Sequence, residues 1–290
     1  MKFHNKLSFY IPKASLASLL VCLISGLILT YQYHPFGNVF KTIEEITTVI
    51  PYGFFFRRLH YASGQLFAIL MLLHIMDHFL SRRYRRYSVS KWARLVIPLG
   101  ICFFTLFTGY ILKGDKEGIY AGNIFFYILK DAPFVGHIIS RFFIRPGETL
   151  FWLPYLYHIL FLPILLMFLI RDHITNWVAD RGFILLTTIG LFIYSLLVRM
   201  PLDIPPHADI RLVTGPWFFL GIQVCLSLMP PVLAGIFIPL VFATLFMLLP
   251  LLKGRPQAFV HYMIIAFSLL YACLCIFGYF FMEQAWVISR

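Results

Sequence analysis

The sequence has few charged residues and fewer acids than bases. Only 12% of its 290 residues are charged and 60% are hydrophobic, whereas a soluble domain carries about 25% charged residues. This scarcity of charge excludes an ordinary soluble domain and predicts an all-α integral membrane protein. There are 24 lysines and arginines against 12 aspartates and glutamates. In a membrane chain such an excess is typical of cytoplasmic loops, and nucleic-acid binding is not expected.

Cysteine motifs are missing as well. None of the five cysteines belongs to a C-x-x-C or C-x-x-C-H pattern, and all lie in apolar stretches: Cys22, Cys102, Cys225, Cys273 and Cys275. Covalent c-type haem attachment, a structural zinc site and a disulfide framework therefore lack support. The amino-terminal apolar run is not followed by a small-residue cleavage site, so a signal peptide is not expected.

Seven apolar stretches are each near the roughly 20 residues that cross a bilayer. They lie at about 15–33, 55–80, 92–112, 153–172, 183–199, 232–252 and 260–282. The third and fourth are joined by about 40 residues, too long for a simple turn, so this connection is predicted to contain a surface helix. Trp92, at the start of the third stretch, is interpreted as a membrane-interface residue.

Basic residues predict the orientation of the chain. The connection between the second and third helices has six of them and no acid: Arg82, Arg83, Arg85, Arg86, Lys91 and Arg94. The amino terminus and the fourth–fifth and sixth–seventh connections are also basic and fall on the same side. The positive-inside rule makes that side, including the amino terminus, cytoplasmic.

Four histidines inside the apolar stretches form two predicted pairs. His60 and His74 are 14 residues apart on the second helix, and His158 and His173 are 15 apart on the fourth. Both helices run in the same direction, so His60 faces His158 near the outer side and His74 faces His173 about 21 Å deeper. Such pairs are typical of a bis-histidine dihaem site. The alternatives are polar residues satisfied by helix contacts, and His78 in place of His74.

Short motifs around these histidines give a family resemblance. They are Arg57 three residues before His60, Pro163 five after His158, Gly109-Tyr110-Ile111-Leu112, Pro133 to Gly136, Pro201 to His207 and Trp217 to Leu220. The chain resembles cytochrome b of the respiratory bc complexes and its photosynthetic counterpart. The resemblance implies seven transmembrane helices: a dihaem four-helix bundle at 1–181 and a subunit-IV-like three-helix region at 182–290.

The resemblance also implies a function. Two non-covalent b-type haems would be bound, the outer iron by His60 and His158 and the cytoplasmic iron by His74 and His173, with Arg57 pairing an outer haem propionate. The chain would be the electron-transfer subunit of a quinol:acceptor oxidoreductase in a prokaryotic inner membrane, active only within a complex. Its substrate would be quinone or menaquinone, and its partner a c-type cytochrome, multihaem included, or an iron–sulfur subunit. Lipid contacts and a homodimer are compatible with it.

The sequence departs from the family at the outer quinol site. Pro216 and Phe218 replace the glutamate and tyrosine of the PEWY motif, so a bifurcating quinone cycle is not assumed. The acids that could substitute are each interpreted as solvated loop charges: Asp115, Glu117, Glu148, Asp203 and Asp209. Asp77 replaces an arginine near the inner haem, which leaves Arg82 or Arg83 as propionate partners.

A quinone site is predicted on the cytoplasmic side, near the inner haem. Its candidates are Asp172, Asp180, Arg181 and Lys13; solvated membrane-edge charges are the competing interpretation. No residue is assigned a catalytic role. Two other functions stay open. One is a transporter or channel with a histidine proton relay, although no internal repeat is visible. The other is a haem-bearing anchor without its own quinone site.

Overall fold

The structure is a computed structural model that describes residues 2–147, 149–177, 181–197, 200–209 and 213–288. Side chains at 2–8, 173, 175–177 and 282–288 are outside the description. The described residues form α-helices and no strand: α1 (Lys2–Thr30), α2 (Val39–Thr48), α3 (Gly53–Leu80), α4 (Val89–Ile111), α5 (Lys116–Lys130), α6 (Gly136–Phe143), α7 (Trp152–Leu156), α8 (Leu162–Trp177), α9 (Arg181–Leu197), α10 (Leu220–Leu228), α11 (Ile238–Leu248) and α12 (Gly254–Ile288).

Five segments are long and apolar enough to cross a membrane. They are Phe9–Thr30, Gly53–Leu80, Val89–Ile111, Trp152–Asp172 and Gly254–Phe281. The two other predicted spans appear as shorter apolar helices, Arg181–Leu197 and Leu233–Leu248. The predicted surface helix in the third–fourth connection is confirmed, because α5 and α6 both lie there. The chain is therefore an all-helical membrane protein, as its composition predicts.

Two prolines explain two local changes of helix type. The chain forms π-helical turns at Tyr157–Phe161, between α7 and α8, and at Leu233–Phe237, before α11. Each turn ends two residues before a proline, Pro163 or Pro239. A proline has no backbone N–H to donate to the preceding turn and its ring crowds the carbonyl there, so the helix widens. The first π turn contains His158, and π turns are frequent at functional sites.

The centre of the bundle is formed by four helices. Leu19 of α1, Phe67 of α3, Cys102 of α4 and Leu166 of α8 pack into one buried cluster. These helices correspond to the first four predicted spans. The next helix, α9, packs against α1 and α3.

The carboxy-terminal helices join the bundle through a buried aromatic cluster. Trp92 is fully buried, and its Nε1–H donates to the carbonyl of Phe246, 2.8 Å away. Its interpretation as an interface residue is therefore wrong, because α11 and α12 cover it. Tyr84, also fully buried, has its hydroxyl 3.0 Å from Nδ1 of His261 on α12. Both contacts are unexpected from the sequence, in which no motif marks these residues as partners.

Replacing Tyr84 with phenylalanine is expected to destabilise this junction. The change leaves Nδ1 of the buried His261 without its hydroxyl, which costs about 1–3 kcal/mol. A lower Tm in detergent would show it. Tyr262→Phe is the control, because that side chain is 58% exposed and its hydroxyl bonds Arg82 at the surface. Equal Tm values for the two variants would contradict the assignment.

Candidate functional site

His60 and His158 come together between α3 and the first π turn. Their ring centroids are 5.9 Å apart and their planes are inclined at 79°. Both side chains are partly buried. The structure thus brings together the two residues that spacing and topology pair. We call this end of the bundle the His60 end, and the opposite end, which carries His74, the His74 end.

Hydrogen bonds fix the protonation of both rings. Nδ1 of His60 lies 2.9 Å from the carbonyl oxygen of Cys22, and Nδ1 of His158 lies 2.9 Å from that of Thr105. A carbonyl only accepts, so each Nδ1 carries a hydrogen, and in the neutral imidazole Nε2 then keeps its lone pair. This is the tautomer that binds a metal ion through Nε2, with the other nitrogen oriented by a second group. The sequence does not reveal these two carbonyls.

Two glycines make room for the imidazole rings. A Cβ placed on Gly109 of α4 would lie 2.6 Å from Cε1 of His158, and one on Gly26 of α1 would lie 2.9 Å from Cε1 of His60. Any larger residue at either position would push the ring aside. Gly109 belongs to a motif recognised in the sequence, whereas Gly26 carries no signal that sequence reasoning used.

This arrangement fits a haem iron better than a zinc ion. Two nitrogens that bind one ion at about 2 Å each bring their ring centres to roughly 6 Å, close to the separation observed. A structural zinc site needs about four protein ligands, and no group of three or more histidine, cysteine or acidic side chains occurs among the described residues. A haem needs only two, because the porphyrin supplies the remaining nitrogens.

His74 lines a cavity at the other end of the bundle. The cavity lies between α1, α3, α4 and α8 and has a volume of about 50 Å³, and its walls include Ser15, Met71, Arg94 and Ile170. His173, the predicted partner of His74, lies on α8, and its side chain is outside the description. Of the second predicted histidine pair, the structure therefore describes the side chain of His74 alone.

His78 is engaged elsewhere. The guanidinium of Arg83 lies 3.3 Å from its Nε2, and the hydroxyl of Tyr87 lies 3.1 Å from its Nδ1. A guanidinium only donates, so it occupies the lone pair that a metal would need. The ring of His78 packs on that of His74, with centroids 4.6 Å apart. Of these two histidines, His74 is the one that faces the cavity.

Charged residues at the His60 end pair with one another. Nη2 of Arg57 lies 2.6 Å from Oδ2 of Asp203, and its Nη1 donates to Thr47 at 2.9 Å, so Arg57 pairs with a protein carboxylate. Asp115 is fully buried, and the side chains of Glu117 and Asp203 are 15% and 16% exposed. Their interpretation as solvated loop charges is wrong, because the 200–209 segment folds over them.

The other charged residues singled out in the sequence lie as follows. Asp209 is exposed, as expected, and Glu148 lies outside the described residues. Arg82 donates to the hydroxyl of Tyr262 at 2.9 Å, and Arg83 pairs with Asp77 at 3.1 Å. Arg94, which sequence reasoning counted only as a loop charge, lines the cavity of His74.

The candidate quinone-site residues differ in burial. Lys13 is only 8% exposed, with its ammonium 4.1 Å above the ring of Phe9. Asp172 has an exposed side chain that pairs with Arg94 at 2.5 Å. Arg181 is exposed, and Asp180 lies outside the described residues. The membrane-edge interpretation therefore suits Asp172 and Arg181 but not Lys13.

Aromatic rings fill the space beside Pro216. Phe218 is 7% exposed and stacks on Phe103 of α4, with centroids 5.4 Å apart. Phe219 packs edge-on against Phe107 at 5.1 Å. In this part of the described structure, packed aromatic side chains therefore occupy the region next to Pro216, which stands at the glutamate position of the PEWY motif.

Comparisons with known proteins agree with the resemblance. Residues 65–187 match the family described as cytochrome b(N-terminal)/b6/petB. Cytochrome b6 of Cyanidium caldarium is 28% identical over 55% of this chain and 76% of its own length. The menaquinol:cytochrome c reductase cytochrome b subunit of Geobacillus thermodenitrificans is 25% identical over 52% of this chain and 70% of its own. A bc complex cytochrome b subunit of Chlorobaculum thiosulfatiphilum is 25% identical over 58% of this chain but only 40% of its own length.

A solved structure supports the same fold. A chain of a hyperthermophilic respiratory complex III superposes with a TM-score of 0.68 and 18% identity, over 93% of this chain and 83% of the other. At this sequence identity the match supports a shared fold and nothing further. His74, His158 and His173 lie inside the 65–187 match, whereas His60 and Arg57 precede it.

Proposed function

Because the chain is related to the cytochrome b and b6 proteins, we propose that it is the dihaem cytochrome b subunit of a membrane quinol/quinone oxidoreductase. It passes electrons across a prokaryotic cytoplasmic membrane between a quinone and a c-type cytochrome or iron–sulfur partner. The observation that carries this proposal is the His60–His158 pair, in which both Nε2 atoms are prepared to bind one metal ion. The amino terminus is cytoplasmic in this proposal, and 1–181 is the electron-transfer unit.

The histidines hold and orient the two cofactors. His60 and His158 are the ligands at one end, and His74 and His173 those at the other. A b-type haem bound by two imidazoles carries one electron at a time and has no open iron position for oxygen. The carbonyls of Cys22 and Thr105 keep the first pair of rings in the metal-binding tautomer. Arg94, at the edge of the His74 cavity, offers a positive charge to a haem carboxylate.

We place the quinone site at the His74 end. The His60 end has Pro216 where an acid would be needed, and its neighbouring space is filled by aromatic rings. The His74 end has a cavity lined by Pro12 of α1 and Arg94 of α4, and Lys13 directly follows Pro12. We place the quinone beside this cavity, where Lys13 donates a proton to a quinone oxygen. Asp172, through its pair with Arg94, holds that wall in place.

Quinol-driven reduction tests this proposal. The purified protein should show a b-type band in its reduced-minus-oxidised spectrum, and a menaquinol analogue should reduce at least one haem. A protein that binds haem but is reduced only by dithionite would be an anchor without its own quinone site. Absence of any haem would favour the histidine-relay transporter and contradict the proposal.

Replacing Lys13 with alanine is expected to slow reduction by quinol about tenfold or more, since general acid catalysis contributes typically 10²-fold or more. The dithionite-reduced spectrum should be unchanged, because Lys13 is not a haem ligand in this proposal. Lys91→Ala is the matched control, an exposed lysine on the same predicted side. Equal rates for wild type and Lys13→Ala would remove Lys13 from the quinone site.

A further inference from the structure

Five charged side chains form a compact group at the His60 end, here called the Asp115 cluster: Arg57, Lys113, Asp115, Glu117 and Asp203. Nζ of Lys113 lies 2.6 Å from Asp115, 3.1 Å from Glu117 and 3.8 Å from Asp203. Arg57 pairs with the other oxygen of Asp203 at 2.6 Å. No member is more than 19% exposed. Three carboxylates thus share two cations.

The cluster carries one negative charge in excess when every member is ionised, because three acids oppose two bases. An uncompensated charge with so little solvent is unfavourable, and a group in that position tends to neutralise by binding a proton. Oδ2 of Asp115 has the ammonium of Lys113 at 2.6 Å. Within the described structure, Oδ1 of Asp203 is buried without a hydrogen bond, and the ammonium of Lys113 is 3.8 Å from it. The cluster therefore has an acceptor oxygen available for a proton.

The cluster is surrounded by two tyrosines and one further lysine. Tyr61 of α3 and Tyr110 of α4 face it, and the hydroxyl of Tyr110 lies 2.9 Å from Glu117 and 2.8 Å from the carbonyl of Thr214. Lys116 bonds the carbonyl of Ala208 on the 200–209 segment. Neither tyrosine is charged near neutral pH. Lys116 keeps its positive charge, but its ammonium bonds the carbonyl of Ala208, and among the described residues it forms no ion pair with the carboxylates of the cluster. The excess negative charge is therefore not paired by these neighbours.

The cluster is attached directly to the histidine pair. Arg57 precedes His60 by three residues on α3, about 4.5 Å along the helix axis. Tyr110 follows Gly109, whose Cα faces the ring of His158. The two helices that position the histidines therefore also contribute to the cluster, and a change of charge between the histidines acts on the cluster at short range.

We propose that the Asp115 cluster holds one exchangeable proton, taken up when the site between His60 and His158 gains an electron and released when it loses it. The inference rests on the proposed function, because it requires a redox centre at that pair. When a quinol delivers one electron to this site, one proton from the outer aqueous phase converts a carboxylate of the cluster to a carboxylic acid. When the site passes the electron to its partner protein, the carboxylic acid releases the proton to the same aqueous phase.

The electrostatics of Asp115 and Lys113 agree with this proposal. Burial raises the pKa of Asp115, Lys113 opposes the rise, and the nearby Glu117 adds to it, so the pKa stays above its ordinary value. Burial lowers the pKa of Lys113, but the carboxylates of Asp115, Glu117 and Asp203 raise it by more. Lys113 therefore remains the cation, and an acid is the member that gains the proton.

The test is a redox titration of the haem-loaded full-length protein at several pH values, combined with reduction-induced infrared difference spectra. In the wild type, the midpoint potential of one haem should fall as the pH rises, and reduction should produce a carboxylic acid C=O band. Asp115→Asn should remove the band and flatten the pH dependence of that haem. Asparagine still accepts the N–H of Gly118 that Asp115 accepts at 2.8 Å, so the start of α5 is preserved.

Two further variants keep the result decisive. Glu117→Gln removes the same excess charge from a more exposed position, and it replaces Asp115→Asn if the latter fails to fold. Glu45→Gln is the control, an exposed acid 3.7 Å from Lys41 on the same predicted side, and it should behave as the wild type. A haem-loaded wild type without pH dependence, or cluster variants that retain it, would overturn the inference alone. A protein without haem would instead refute the proposed function.

Discussion

Replacing Gly109 with alanine is expected to reduce the haem content of the purified protein from two per chain to one. The new Cβ would lie 2.6 Å from Cε1 of His158, closer than non-bonded carbon atoms approach each other. The ring would have to leave the position in which its Nδ1 donates to Thr105, and its Nε2 would leave the position opposite His60. Haem extraction with quantification per chain is the measurement.

Gly100→Ala provides the matched control on the same helix. A Cβ at Gly100 meets nothing within 4 Å, so both haems should remain. Helix propensity alone should stabilise α4 by about 1 kcal/mol, since alanine is the better helix former. If Gly109→Ala retained two haems with an unchanged spectrum, the packing of His158 against α4 would not be required for haem binding.

Replacing His74 with alanine is expected to remove the other haem and to stop quinol-driven electron transfer. His74 faces the cavity at its end of the bundle, and alanine offers no ligand to an iron there. His78→Ala should keep both haems, because its Nε2 is already bonded to Arg83 and its Nδ1 lies near Tyr87. The two variants differ by one helical turn and should be compared by haem content and by the rate of reduction with quinol.

The haem content of the two variants also shows which histidine is the ligand if the assignment is reversed. Loss of one haem in His78→Ala, with retention in His74→Ala, would mean that His78 is the ligand and that Arg83 is displaced when haem binds. Loss of both haems in His74→Ala, together with aggregation, would show a folding defect. Retention of the absorption band of the other haem would instead indicate the loss of a single ligand.

The sequence predicts the His60–His158 pair because helical geometry is regular. Two spacings of 14 and 15 residues, on helices that topology makes parallel, place side chains at two matching depths whatever the loops do. The apolar stretches predict the helices for the same reason, since about 20 apolar residues can satisfy their backbone in lipid only as a helix.

Features that depend on contacts distant in sequence could not be predicted. Asp115 and Glu117 look like loop acids until the 200–209 segment brings Asp203 close to Lys113, the lysine with which both of them pair. Trp92 looks like an interface residue until α11 covers it and Phe246 accepts its N–H. The hydrogen bonds that fix the tautomers of His60 and His158 come from backbone carbonyls, which every residue has and no motif marks. In each case the missing information is the packing partner.

The most direct test of the account is the number and ligation of haems in the purified full-length protein. Pyridine haemochrome quantification per chain, with electron paramagnetic resonance of the oxidised protein, measures both in one preparation. The account predicts two b-type haems per chain, each low-spin with two imidazole ligands, and one of them lost in His158→Ala. A protein without haem, or one whose haem content is the same in His158→Ala, would contradict it.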